Sequence, residues 1–212
     1  MIKVIYEDNH ILVVFKPRNV LSQKDKTDDD SMVEYLKKYL KEKYHKPGNV
    51  YLGLVHRLDR PVAGLMVFAK TSKAAQRLSE AFKKREVEKV YFGVIHNNLV
   101  NDKGIVKDIY EGKEEILSYE VVLKKDDLAL VKINLITGKK HQIRRTFKNL
   151  NSPLYGDKLY GLGENGGIAL FAYSLKFFHP VKKEQCFFKY LPLKKEKNEI
   201  FDLFFMNSSV NF

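Results

Sequence analysis

The stretch Val55–Lys70, VHRLDRPVAGLMVFAK, constrains the fold more than any other. Leu52–Val55 is strand-like on entry, and Leu65–Ala69 leaves as a short apolar run suited to a buried strand. Between them stand His56, Arg57, Asp59 and Arg60, followed by Pro61 and Gly64, residues that punctuate turns. The reading is two core strands joined by a sharp turn that carries a carboxylate between two guanidinium groups. A carboxylate held there stays charged. Two roles are open to it: nucleophile or base, or the anionic half of an ion pair that merely closes the turn.

A chain of 212 residues with 44% hydrophobic content buries a sizeable core, and one domain over 1–212 is expected. Its formal charge of +12 points to an anionic partner, nucleic acid first; a generally basic surface is the plainer alternative. Cys186 is alone, so no internal disulfide and no zinc cluster is expected. The opening MIKVIYEDNH runs straight into a strand with no leader, and the apolar runs fall short of a membrane span. A cytoplasmic protein with no membrane partner is expected.

Ile2–Tyr6 and Ile11–Phe15 read as paired strands, the second ended by Lys16-Pro17. Lys24–Asp30 is a polar loop. Ser31 caps a helix, with Glu34 completing a capping box and Val33, Leu36 and Leu40 on its apolar face. Pro47-Gly48 stops it. Ser72 is expected to cap a second helix, burying Ala75, Leu78, Ala81 and Phe82. The basic side chains of that helix, Lys73, Arg77, Lys83, Lys84 and Arg85, meet phosphates or simply face solvent.

Glu88–His96 is a strand with Val90, Phe92 and Val94 on one face and Lys89, Tyr91 and Gly93 on the other. Gly93 is expected to leave room for a flat object beside Tyr91. Asn97–Glu115 reads as loop. Ile116–Lys124 and Leu128–Thr137 alternate as an antiparallel pair with one face covered. The cluster Thr137–Arg145, TGKKHQIRR, turns at Gly138 and enters a helix near His141, with Ile143, Phe147 and Leu150 at helical spacing. Asn151–Gly167 is loop, Ala169–Phe178 and Gln185–Tyr190 are strands, and the tail from about 194 carries apolar residues to dock on the body.

In order, these pieces resemble the pseudouridine synthases, specifically the RluA-like branch with an HRLD motif that modifies ribosomal and transfer RNA. The matching stretches are Tyr6–Pro17 (YEDNHILVVFKP), His56–Arg60 (HRLDR) with Gly64, Lys89-Val90-Tyr91, Thr137–Arg144 (TGKKHQIR), Pro153–Gly161 and His179-Pro180. Together they cover about residues 1 to 192. Val62-Ala63 stands where the family has Thr-Ser or a close variant, and Lys139-Lys140 where it has arginine and a variable residue. The additional small RNA-binding domain of many relatives is not expected here.

The resemblance implies an α+β fold: a mixed, mostly antiparallel central sheet flanked by helices and loops, with a catalytic cleft across it. It implies an isomerase that converts uridine to pseudouridine in rRNA or tRNA on a flipped-out nucleotide, without cofactor or metal. Asp59 is the implied carboxylate, as nucleophile or as the base at C2′. Arg144 is its implied guanidinium partner, of the kind that lowers a carboxylate from ~3.9 by about 1–3 units. Tyr91 would stack on the uracil and relay the C5 proton. Arg57 would fill the space the base vacates. His56, Arg60, Lys16, Lys139, Lys140, His141, Gln142 and Arg145 would hold RNA. The default oligomeric state is a monomer, and Gln23–Asp30 and Asn97–Glu115 would choose the target. Two alternatives remain: a catalytically silent RNA-binding or ribosome-assembly protein of the same fold, and a metal hydrolase built on His56, Asp59 and His141. Those last three lack the helical spacing of a metal motif.

Overall fold

Strands that are apolar along their whole length must be covered on both faces, and two such strands organise the first part of the molecule. In the computed structural model, which describes residues 3–26, 29–191, 196 and 198–205, the chain forms two compact units. One comprises Met1–Val87 and Ser174–Tyr190; the other comprises Glu88–Tyr173 and Leu191–Phe212.

The first unit contains β1 (Lys3–Glu7), β2 (Ile11–Lys16), α1 (Met32–Lys43), β3 (Gly53–Leu54), β4 (Ala63–Ala69) and α2 (Ser72–Lys83). Every residue of β2 and β4 is buried. They pair antiparallel from Ile11↔Ala69 to Lys16↔Gly64, with β1 on the outer side of β2 and β3 beside β4. One face packs Ile11, Val13, Leu65 and Val67 against Ala74 and Leu78 of α2. The capping box at Ser31 and Glu34 forms as expected. The cap of α2 is Thr71, one residue before the expected Ser72: its backbone is extended and its hydroxyl accepts from the amide of Ala74 at 3.2 Å.

The second unit contains β5 (Glu88–His96), β6 (Lys103–Tyr110), β7 (Lys113–Lys125), β8 (Leu128–Leu135) and α3 (Gln142–Asn149). The pairs β5–β8, β7–β8 and β6–β7 are antiparallel. The strand β9 (Leu170–Phe178) gives its first residues to this unit and its last to the first unit, where β10 (Gln185–Lys189) pairs with it antiparallel. The expected α+β class with a largely antiparallel sheet is therefore observed.

The expected loop Asn97–Glu115 is instead mostly a hairpin of β6 and the start of β7. Glu111 and Gly112 both have positive φ, 50° and 69°, the geometry of a two-residue hairpin turn. The strand β6 is largely exposed, so it lacks the buried alternation by which a strand is recognised.

A short 3-10 turn (Glu199–Phe201) leads into α4 (Asp202–Phe205). Phe201 lies against Phe171 at 5.0 Å between ring centroids, which docks this part of the tail on the second unit. The expected start of the tail at Lys194, and Thr27 and Asp28 of the Lys24–Asp30 loop, lie outside the described residues.

Candidate active site

Asp59 stands on the turn between β3 and β4, half-buried, with exposed Arg57 and Arg60 on either side. The amide of Val62 donates to the Asp59 carbonyl at 3.0 Å, closing the turn. Arg60 reaches back along the chain: its guanidinium pairs with Asp29 at 2.7 Å and donates to the Asn19 carbonyl at 3.2 Å. Arg57 alone of the motif's basic side chains is both exposed and outside these turn contacts.

Two residues expected to grip RNA are instead engaged in structure. Lys16 is 0% exposed. Its ammonium donates to the carbonyls of Val20 at 2.7 Å, Pro17 at 3.0 Å and Arg60 at 3.1 Å, one acceptor for each proton. Burial lowers it to about 7, with Asp59 pulling it up and Arg60 pushing it further down. Lys16 holds the turn and has no surface to offer a phosphate. His56 is likewise turned inward: its Nε2 accepts from the amide of Val67 at 3.0 Å, and its ring stacks on Phe82 at 4.6 Å. Along α2 and its C-terminal cap, Arg77 donates to the Pro180 carbonyl at 2.6 Å and Lys84 pairs with Glu80, so part of that basic face is engaged within its own unit.

In the second unit Tyr91 is buried on β5, opposite Ile133 of β8. Gly93 lies two residues along on the same face. The room expected there is filled: a Cβ on Gly93 would lie 2.7 Å from Leu154 Cδ2. Leu154 reaches it because its backbone bridges to Ile95.

The helix α3 starts from His141, whose backbone is left-handed at φ 56°. Gln142 is buried and acts as a clip. Its carbonyl accepts from the Thr137 hydroxyl at 2.9 Å and the Lys139 amide at 3.1 Å, and its amide group donates to the Ile116 carbonyl at 3.2 Å. Arg145 pairs with Glu115, donates to the Lys140 carbonyl, and lies 3.7 Å from the centre of the Tyr110 ring. Gln142 and Arg145 therefore hold the turn. Lys139 and Lys140 remain exposed. His141 Nδ1 lies 3.2 Å from the Tyr160 hydroxyl.

Arg144 is 7% exposed and meets Asp157, which is 1% exposed. Its Nε and one terminal nitrogen donate to the two carboxylate oxygens at 2.7 and 2.6 Å, a bidentate fork. Asp157 also accepts from the amides of Leu159 at 2.9 Å and Tyr160 at 3.1 Å. Burial raises its carboxyl, but Arg144 and these amides outweigh burial and hold it below the usual carboxylate range. The Tyr160 ring lies 5.1 Å from the guanidinium carbon of Arg144. Asp157 is the residue that motif reading passed over as a functional partner. It falls within the matched stretch Pro153–Gly161, and Gly156 before it, at φ +70°, has no room for a Cβ against the Gly167 carbonyl.

Each unit thus presents a distinct set: Asp59 and Arg57 in the first, and Tyr91 and the Arg144–Asp157 pair in the second. A family model described as RNA pseudouridylate synthase matches residues 10–149, a span that includes Asp59, Tyr91 and Arg144. Ribosomal large subunit pseudouridine synthase C of Buchnera aphidicola is 30% identical, over 85% of this chain and 64% of the relative. An RNA pseudouridine synthase of Aquifex aeolicus is 32% identical, over 89% of this chain and 68% of the relative. Dual-specificity RNA pseudouridine synthase RluA of Vibrio cholerae is 30% identical, over 84% and 78%. The chain spans only about half the length of some other relatives, such as the 52% covered of synthase D of Yersinia pestis. The fold is shared with human RNA pseudouridylate synthase domain containing 4, at TM-score 0.76 and 21% identity over 91% of this chain and 89% of that one. The chain belongs to the RNA pseudouridylate synthase family.

Proposed function

We propose that this protein isomerises uridine to pseudouridine in ribosomal or transfer RNA. The N1–C1′ bond breaks, the uracil turns, C5 bonds to C1′, the C5 proton leaves to solvent and N1 takes one up. Redox state is unchanged and no group is transferred to another molecule, so the chemistry asks for no cofactor and no metal. Asp59 acts at the sugar, as nucleophile on C1′ or as base on C2′. Tyr91 stacks on the uracil and relays the C5 proton. Arg144, aimed by Asp157, supplies positive charge at the reacting nucleotide. Arg57 enters the stack when the nucleotide flips out. Lys139, Lys140, Arg60 and His141 contact the RNA backbone. Residues 1–212 act as one catalytic domain, as a cytoplasmic monomer.

The observation that supports this reading best is the state of the HRLDR turn. Its histidine is engaged inward, while Asp59 stays half-exposed and Arg57 exposed. A turn built only to join β3 to β4 has no need of an accessible carboxylate. The test is a transcriptome-wide map of pseudouridine in cells lacking the gene, with wild type or Asp59→Asn restored. The reading expects one or more uridines to lose modification on deletion and to regain it with wild type alone. A map unchanged by deletion overturns it, and rescue by Asp59→Asn favours a binding or assembly role.

A further inference from the structure

The chain leaves its sheet ladder after Leu54, because β3 pairs with β4 only at Gly53↔Ala69 and Leu54↔Phe68. Leu58 follows, 7% exposed, with a backbone N–H and C=O that the ladder does not serve. Both must find partners. The Ser22 hydroxyl serves both: it donates to the Leu58 carbonyl at 2.7 Å and accepts from the Leu58 amide at 3.1 Å. Ser22 is itself 5% exposed, against the sulfur of Met66.

The consequence falls on the next residue. The direction in which Asp59 projects is set by the peptide planes on either side of it. The plane between residues 58 and 59 is held by Ser22. The plane between 59 and 60 is held by the Val62 amide on the Asp59 carbonyl. The plane between 60 and 61 is held by Lys16 on the Arg60 carbonyl. Three consecutive planes are pinned, two of them from the segment Lys16–Ser22, about forty residues upstream. That segment is anchored in turn, since Leu21 accepts from the Met32 amide at 2.8 Å at the start of α1.

We propose that Ser22 is a positioning residue for the reaction: its hydroxyl sets the plane from which the Asp59 carboxylate is aimed. This rests on the synthase reading of Asp59. A misplacement of about 1 Å at a reacting group costs on the order of 10²-fold in rate, whereas binding contacts elsewhere are untouched by it. Removing the hydroxyl therefore lowers kcat and leaves RNA affinity alone.

The experiment compares wild type, Ser22→Ala and Ser22→Thr. Each is assayed on unfractionated ribosomal and transfer RNA from the deletion strain, at a temperature where circular dichroism shows all three fully folded. Ser22→Ala is expected to lose tenfold or more in kcat with KM within twofold of wild type. Ser22→Thr, which keeps the hydroxyl, is expected to recover most of that loss. By hydrogen exchange, the peptide spanning 55–62 is expected to exchange faster in Ser22→Ala than in wild type. An unchanged kcat with a lowered melting temperature overturns the proposal and leaves Ser22 a support of the fold. A raised KM with unchanged kcat overturns it in favour of an RNA contact. Inactive wild type, by contrast, refutes the synthase reading, and unchanged exchange at 55–62 then refutes the positioning as well.

Discussion

Asp157→Asn is the sharpest perturbation of the second unit. The substitution keeps the shape of the side chain and an oxygen for the amides of Leu159 and Tyr160, but removes the negative charge that faces Arg144. Arg144 and Asp157 are 7% and 1% exposed, so water does little to replace the lost partner. Breaking a buried pair from one side costs about 3–5 kcal/mol. For a chain of this length each kcal/mol lowers the melting temperature by about 2–4 °C, so the expected loss is roughly 6–20 °C. The assay is thermal denaturation followed by circular dichroism at neutral pH. The double variant Arg144→Met with Asp157→Asn provides the control, since the asparagine still offers an oxygen to the amides of Leu159 and Tyr160. It removes both charges together and is expected to melt above Asp157→Asn alone, since the remaining buried charge and its desolvation cost are gone. A loss below about 2 °C in Asp157→Asn, or a double variant that melts lower still, would refute the claim that the Arg144–Asp157 fork stabilises the second unit.

Three further outcomes are expected. Because burial brings the Lys16 ammonium down to about 7 in the folded chain against 10.5 when free, the cost of burying it is full below pH 7 and is relieved as pH rises toward 10.5. The stability of wild type relative to Lys16→Met should therefore grow between pH 7 and pH 9, as read by urea melts; a constant difference contradicts the buried ammonium. Glu7 is held at about 2: burial raises it, but bonds from Lys43, Lys70, Tyr44 and Tyr39 prevail. Its contribution is complete above pH 4.5 and is lost as pH falls toward 2, so Glu7→Gln should flatten acid unfolding in that window. Finally, Lys139→Ser with Lys140→Ser should weaken RNA binding and make its dependence on log salt shallower by about 0.7 per lysine on single strands. An unaltered slope would remove these lysines from the RNA surface.

What the sequence showed, and what it hid, divides by distance along the chain. The β2 and β4 runs were legible because unbroken apolar segments bounded by Pro17 and Gly64 have few other uses. The capping box of α1 was legible because its two halves, Ser31 and Glu34, stand three residues apart. The HRLDR motif and the TGKKHQIR turn were legible as clusters of polar residues at the ends of core strands. The roles inside those clusters were not. Lys16, His56, Gln142 and Arg145 read as ligand contacts because their types are charged or polar, yet each serves a backbone group or a nearby charge brought to it by folding. The bond of Ser22 to Leu58, and that of Asp157 to Arg144 although Asp157 lies in the matched stretch Pro153–Gly161, were hidden for the converse reason: these partners lie 36 and 13 residues away in sequence. The hairpin of β6 and β7 was missed because exposed strands lose the alternation that marks buried ones.

The most direct test of the central claim follows the proton displaced from C5. Purified protein is incubated with RNA transcribed from uridine tritiated at C5, and tritium released to water is counted, because forming the C5–C1′ bond expels that hydrogen. Wild type is expected to release tritium at its target uridines and Asp59→Asn to release none, while both remain folded and bind the RNA alike. Release by Asp59→Asn at the wild-type rate would contradict the role assigned to the carboxylate on which the site is built.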